Sequence, residues 1–88
     1  MVTDREYWVV ANLGGNDFLD YQSLYYLTNN KIKLSMKEFN KHLKKFTEYN
    51  IIKCNKRSMD FREKEYALTD KGSKYLDYIN YFWYHNDP

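Results

Sequence analysis

The chain has little of what staples or anchors a small secreted protein: of its 88 residues, one is cysteine, one is proline and three are glycine. A lone Cys54 excludes an internal disulfide. The opening Met1-Val2-Thr3-Asp4-Arg5-Glu6 lacks the basic-then-apolar pattern of a leader, so a cytoplasmic protein is expected. The longest apolar runs, such as Trp8-Val9-Val10-Ala11, fall far short of the roughly 20 residues that a membrane-spanning helix needs. Histidine is equally scarce. His42 and His85 form no His-x-x-x-His pair, there is no Cys-x-x-Cys, and no glycine-rich loop is present to hold phosphate. Metal and nucleotide sites therefore lack their recognisable ligand arrangements, and neither a cofactor nor an enzyme is expected. Cys54 is read as a small core residue of a strand, and His42 as a partly exposed helix residue near phosphate.

What the chain does have is aromatic area and a local excess of positive charge. Ten Tyr, five Phe and two Trp make up 19% of the residues, enough apolar surface for a chain of this length to fold as one domain spanning 1–88. The net charge of +2 conceals a strong asymmetry. Between Lys31 and Arg57 there are nine basic residues and two acids, a local +7, which leaves −5 for the remainder. Such a segment suits one face made for a polyanion.

The chain reads as helix, helix, short strand, helix, β-hairpin, helix. Thr3-Asp4-Arg5-Glu6 is a capping box, opening a helix from about Asp4 to Leu13 that Gly14-Gly15 ends. A second helix from about Asp17 to Leu27 places Phe18, Tyr21, Leu24, Tyr25 and Leu27 near one face, with Thr28-Asn29-Asn30 breaking it. Lys31-Ile32-Lys33-Leu34 alternates like a very short strand, and Ser35-Met36-Lys37-Glu38 repeats the capping box. Through Tyr49, Met36, Phe39, Leu43 and Phe46 then share one face, while Lys37, Lys41, Lys44 and Lys45 centre opposite. Ile51 to Arg57 and Tyr66 to Thr69 read as two strands joined by a long, charged, mobile loop. Thr69 or Asp70 caps a last helix, residues 70–85, with Tyr75, Leu76, Ile79, Phe82 and Trp83 on one stripe.

Two stretches resemble winged helix-turn-helix regulators of the MarR, ArsR and PadR type. One runs from Leu34 to Ile52, with Ser35 as cap, Phe39 and Leu43 as core pair and Lys41-His42-Leu43-Lys44-Lys45 as basic run. The other is Tyr66-Ala67-Leu68-Thr69-Asp70-Lys71-Gly72, where the wing's second strand enters the next helix. Asn50 stands where those proteins have Gly, and Asn tolerates the left-handed conformation. Thr28 to Leu34 is longer than their tight turn. The resemblance implies a mainly helical α+β winged helix-turn-helix and a sequence-specific, double-stranded DNA-binding transcriptional regulator.

Physical chemistry points the same way, because a helix that enters the major groove needs one apolar face for its own domain and one donor-bearing face for DNA. Lys37, Asn40 and Lys41 are the base-contact candidates, with Asn40 suited to adenine; by resemblance, Asn40 and Lys41 hold base-reading positions. Lys31, Lys33, Ser35, Lys44 and Lys45 are the phosphate candidates. Wing residues Lys56, Arg57, Arg62 and Lys64 suit the minor groove or backbone, although Asp60, Glu63 and Glu65 dilute them. The last helix carries more aromatics than one core absorbs, so Tyr75, Tyr78, Ile79, Phe82 and Trp83 are expected in a homodimer interface or against another protein. The alternative is a non-enzymatic interaction module, such as an inhibitor or anti-repressor carried by a mobile element. Abundant Lys, Asn and Tyr suit the A+T-rich coding of a phage, plasmid or virus.

Overall fold

A computed structural model describes residues 3–15, 17–55 and 64–85, with side chains as far as Phe82. Helix α1 spans Asp4–Ala11. The Glu6 N–H donates to Thr3 Oγ1 at 3.2 Å while Glu6 Oε1 accepts from the Thr3 backbone, the reciprocal box anticipated at this end. Gly15, at φ 80°, closes the following turn in the left-handed region.

Strand β1, Leu19–Asp20, precedes helix α2, Tyr21–Lys31, so the helix begins and ends four residues later than its sequence pattern indicated. Two interactions move it. Leu19 pairs with Tyr66, which holds the chain extended to Asp20, and the Asp20 carboxylate accepts from Ser23 N–H at 3.0 Å as the true cap. At the other end Thr28 is fully buried, its hydroxyl donating to the Leu24 carbonyl at 2.8 Å and accepting from Asn12 Nδ2 at 3.3 Å. Thr28-Asn29-Asn30 therefore extends the helix instead of breaking it. The short strand expected at Lys31–Leu34 is absent. Residues 32–35 form the compact turn of a helix-turn-helix, and the third strand of the sheet is β1.

Helix α3 is Met36–Glu48, with Ser35 Oγ accepting from Glu38 N–H at 3.1 Å. Phe39, Leu43 and Phe46 are buried, and Phe39 meets Tyr21 edge-on at 5.3 Å. Met36, placed on the same face by periodicity, is exposed because it lies at the first turn. Strands β2, Ile52–Asn55, and β3, Glu65–Leu68, form an antiparallel pair with Cys54 opposite Tyr66, giving the sheet order β1-β3-β2. Cys54 is half-buried against the core, in keeping with its reading as a core residue. The loop expected between the strands lies outside the described residues.

Helix α4, Asp70–His85, is docked on the end of α3. Asn50 takes φ 60°, its N–H donates to the Thr47 carbonyl at 3.1 Å, and Ile51 N–H donates to the Phe46 carbonyl at 2.9 Å. These two bonds make a Schellman ending, with Asn in the position glycine usually holds. Thr69 caps α4 by accepting from Gly72 N–H at 2.9 Å, and its hydroxyl donates to the Asn50 carbonyl. Lys71 Nζ donates to the Tyr49 carbonyl at 2.9 Å. Gly72 completes the joint, since a Cβ there would lie 2.0 Å from the Ile51 carbonyl oxygen. Gly72→Ala is accordingly expected to cost about 1–3 kcal/mol by overpacking against backbone. That corresponds to a melting temperature lower by roughly 5–20 °C for a domain of this size, read from thermal unfolding by circular dichroism.

Candidate nucleic-acid interface

With Phe39, Leu43 and Phe46 turned inward, the remaining circumference of α3 divides into three stripes. The outermost carries Lys37, Lys41, Lys44 and Glu48, all exposed. Among the described residues none bonds or ion-pairs with Lys37, Lys41 or Lys44. Three ammonium groups on successive turns thus face solvent.

The second stripe faces α1. Arg5 Nη1 donates to Glu38 Oε2 at 3.1 Å, and His42 Nε2 lies 3.7 Å from the same oxygen. That nitrogen is buried and without a hydrogen bond among the described residues, so His42 packs toward α1 and does not face phosphate as its sequence position suggested. One turn on, Lys45 Nζ donates to Glu6 Oε2 at 2.6 Å. Burial alone would raise the Glu6 carboxyl, but hydrogen bonds from Lys45 and Thr3, with the charge of Lys45, hold it below its ordinary value. The Glu6 hydrogen bond raises the Lys45 ammonium against a smaller desolvation effect. Beside this pair, burial and then the Glu6 charge raise the Tyr75 phenol. Of the phosphate candidates, Lys45 is therefore already engaged within the chain.

The third stripe faces the hairpin. Asn40, Lys44, Thr47 and Glu48 form one wall of a cleft of about 350 Å³ whose other wall includes Cys54, Lys64 and Tyr66. Asn40 is half-buried, and its Oδ1 accepts from the Tyr21 hydroxyl at 2.5 Å. Lys64, the one wing candidate within the described residues, is half-buried in this cleft; Lys56, Arg57 and Arg62 lie outside them.

Around the helix-turn-helix, Lys33 is exposed in the turn and Ser35 has its oxygen committed to the cap of α3, with its O–H still able to donate. Lys31 ends α2 with Nζ 5.2 Å from the centre of the Trp8 ring. Lys53, not singled out from the sequence, projects from β2 with Nζ 5.8 Å from the Phe18 ring. The expected subunit interface on α4 separates into two sides. Ile79 is 5% exposed and belongs to the chain's own core, contrary to its expected place between subunits, while Tyr75 is half-buried and packs 6.3 Å from Phe46. Tyr78 and Phe82 are exposed, with their rings tilted against each other at 4.8 Å, and are joined by Tyr81, which the sequence reading left out of that interface. Trp83 lies on the same helix, and its side chain is outside the described ones.

Three residues that matter to this surface escaped the sequence reading. Arg5 and Glu6 meet α3 from 33 and 39 positions away, a separation at which no local pattern signals contact. Tyr21 was legible only as a core aromatic. Among the described residues no group of His, Cys, Asp or Glu is arranged to hold a metal, and no helix is long and apolar enough to cross a membrane.

No family model and no curated protein matches the chain. Solved structures do resemble it. The crystal structure of NadR in complex with 4-hydroxyphenylacetate superposes with a TM-score of 0.71 at 20% identity, covering 89% of this chain and 52% of NadR. YusO from Bacillus subtilis superposes with a TM-score of 0.69 at 18% identity, covering 90% of this chain and 53% of YusO. The chain thus spans about half the length of each. At these identities the likeness shows the fold alone, a winged helix.

The Glu6 and Lys45 pair yields a pH test. Glu6 is lowered from 4.5, so its contribution is present above that value and lost as pH falls through the folded value. Lys45 is raised from 10.5, so its contribution is present below that value and lost as pH rises through the folded one. Glu6→Gln, which keeps a capping-box residue, is expected to lower stability by a few tenths to about 1 kcal/mol at pH 7. In urea unfolding the difference from wild type should shrink as pH falls below 4.5 and through the folded value of Glu6, where the wild-type carboxylate is protonated; a difference unchanged in acid would exclude the ion pair as its source.

Proposed function

We propose that the chain is a double-stranded DNA-binding transcriptional regulator acting in the cytoplasm, with α3 as its recognition helix in the major groove. The observation that carries this reading is the outer stripe of α3: three exposed lysines with no partner among the described residues, on a helix whose opposite face is locked in the core. Such a helix satisfies the steric and donor requirements of the groove. Lys37 and Lys41, near the N-terminal half, are assigned to base edges, with Asn40 beside them. Lys44, Lys33, Ser35 and Lys31 are assigned to phosphates. Lys45, tied to Glu6, is the weakest of that set. Lys64 with Lys56, Arg57 and Arg62 belongs to the wing, set near the backbone or minor groove. The winged-helix likeness to NadR and YusO supports the reading at the level of fold.

The same reading includes a homodimer joined through the exposed aromatics of α4, Tyr78, Tyr81 and Phe82, with Trp83 adjoining. Three neighbouring aromatic side chains left exposed on one helix end favour a protein partner, and a second copy would place two recognition helices on half-sites about one DNA turn apart.

Each neutralised phosphate adds about 0.9 to the slope of log affinity against log salt. The double variant Lys41→Ala, Lys44→Ala should weaken duplex binding and flatten that slope by about 1–2 in a fluorescence anisotropy titration. Undetectable binding of wild type at low salt, to random and genomic duplexes alike, would replace the regulator with a protein-interaction module of the same fold. For the dimer, sedimentation equilibrium should give twice the chain mass, falling to the monomer mass for Tyr78→Ser, Phe82→Ser; a mass that does not change takes α4 out of the interface.

A further inference from the structure

Asn40 is not free to turn as a surface asparagine would. Tyr21 is the first residue of α2, is fully buried, and has its ring held between Phe39 at 5.3 Å and Tyr25 at 6.4 Å. From that fixed position its hydroxyl donates to Asn40 Oδ1 at 2.5 Å. The bond joins the two helices of the helix-turn-helix, with the Asn40 amide oxygen as its acceptor. The carbonyl oxygen is directed to Tyr21, and the NH2 group is left for whatever approaches the helix from outside.

That orientation changes what Asn40 can recognise. The adenine edge in the major groove offers N6–H2 as donor and N7 as acceptor, so the bidentate contact needs both the oxygen and the nitrogen of the amide. An amide oxygen that already accepts one bond keeps a single lone pair, turned toward that donor's side, so the amide presents mainly its donors outward. Guanine, with O6 and N7 both accepting, matches that presentation best; cytosine, whose N4–H2 donates, matches it worst.

We infer that Tyr21 is a specificity-setting residue, which by occupying the Asn40 carbonyl oxygen makes Asn40 a reader of a base-edge acceptor, guanine first, in place of the adenine its residue type suggests. This rests on the DNA-binding reading above. Tyr21 acts through Asn40 and touches no base itself, so the decisive readout is base preference at one position, which a purely structural role would leave unmoved.

The experiment is selection from a random duplex pool with wild-type protein, Asn40→Ala, Tyr21→Phe and Asn40→Asp. Loss of preference in Asn40→Ala marks the position concerned. Wild type should favour guanine over adenine there by roughly tenfold, the discrimination expected of one good base contact. Tyr21→Phe, which frees the oxygen, should move that position to adenine, with affinity for unselected duplex within about twofold of wild type. Asn40→Asp keeps an acceptor for Tyr21 and presents a second one outward, so it should move the position to cytosine. This variant leaves the core untouched and serves should Tyr21→Phe fail to fold. Adenine at the marked position in wild type, the same base in wild type and Tyr21→Phe, or no Asn40-dependent position in a protein that still binds duplex would each overturn this inference alone. Absence of salt-sensitive duplex binding would remove the DNA reading and this inference with it.

Discussion

The carbonyl groups at the end of α3 are the point on which the arrangement of the other elements depends. A helix leaves its last carbonyls without internal partners, and here they must be satisfied where the chain turns directly into a strand. The left-handed turn at Asn50 satisfies two of them and directs Ile51 toward β2. Thr69, Lys71 and Gly72, arriving from the other end of the hairpin, close on three further carbonyls, Tyr49 to Ile51. The Ile51 carbonyl also accepts from Thr69 N–H at 3.1 Å, so one peptide group joins the end of α3, the base of the hairpin and the start of α4. The relative angles of these elements follow from backbone contacts at this joint.

The packing of α3 against its neighbours also explains how a helix so rich in lysine tolerates its own charge. Seen only as a sum, residues 31–57 concentrate +7 in a short stretch. In the fold that charge is dispersed. Glu6 takes Lys45, while Glu38 stays on α1's side with Arg5. Lys31 and Lys53 lie over aromatic faces, where the ring quadrupole stabilises a cation by about 0.5–1 kcal/mol at exposed sites. What remains unpaired among the described residues of that stretch is Lys33 in the turn and the outer stripe of α3, a smaller and better directed cationic surface than the count suggests.

The parts of this arrangement set by local chemistry were legible in the sequence. Thr3, Ser35 and Thr69 cap their helices because a hydroxyl or carboxylate finds an N–H two or three residues on, within one turn. The inward face of α3 follows from spacing alone. The errors fall where distant partners decide. Asp17 and Asp20 are equally good caps in isolation, and the pairing of Leu19 with Tyr66, far along the chain, selects the second. Thr28 looks like a helix breaker until Asn12 and the Leu24 carbonyl occupy its hydroxyl. On α4, aromatics occupy nearly every direction, so periodicity did not say that Ile79 turns inward while Tyr78 and Phe82 turn out. Asn40 is half-buried beside the exposed stripe, and the bond to its Oδ1 comes from Tyr21, 19 residues away, a contact that no local pattern signals.

Helix α4 links the two surfaces. Its first turn is fastened to the end of α3, and the Tyr7 hydroxyl donates to Asn80 Oδ1 at 2.7 Å further along, so α1 braces it as well. The helix carries that alignment about 12–18 Å from Asp70 to the exposed Tyr78, Tyr81 and Phe82. It has no proline at which to bend, and its one glycine sits at the joint, where it packs against backbone and adds no freedom. A partner seated on those aromatics is therefore in rigid register with the recognition helix. In the proposed dimer, the spacing of the two α3 helices would be set by how the aromatic ends pack together, and a change at Tyr78 or Phe82 would alter which half-site spacing the protein accepts without touching a residue that faces DNA.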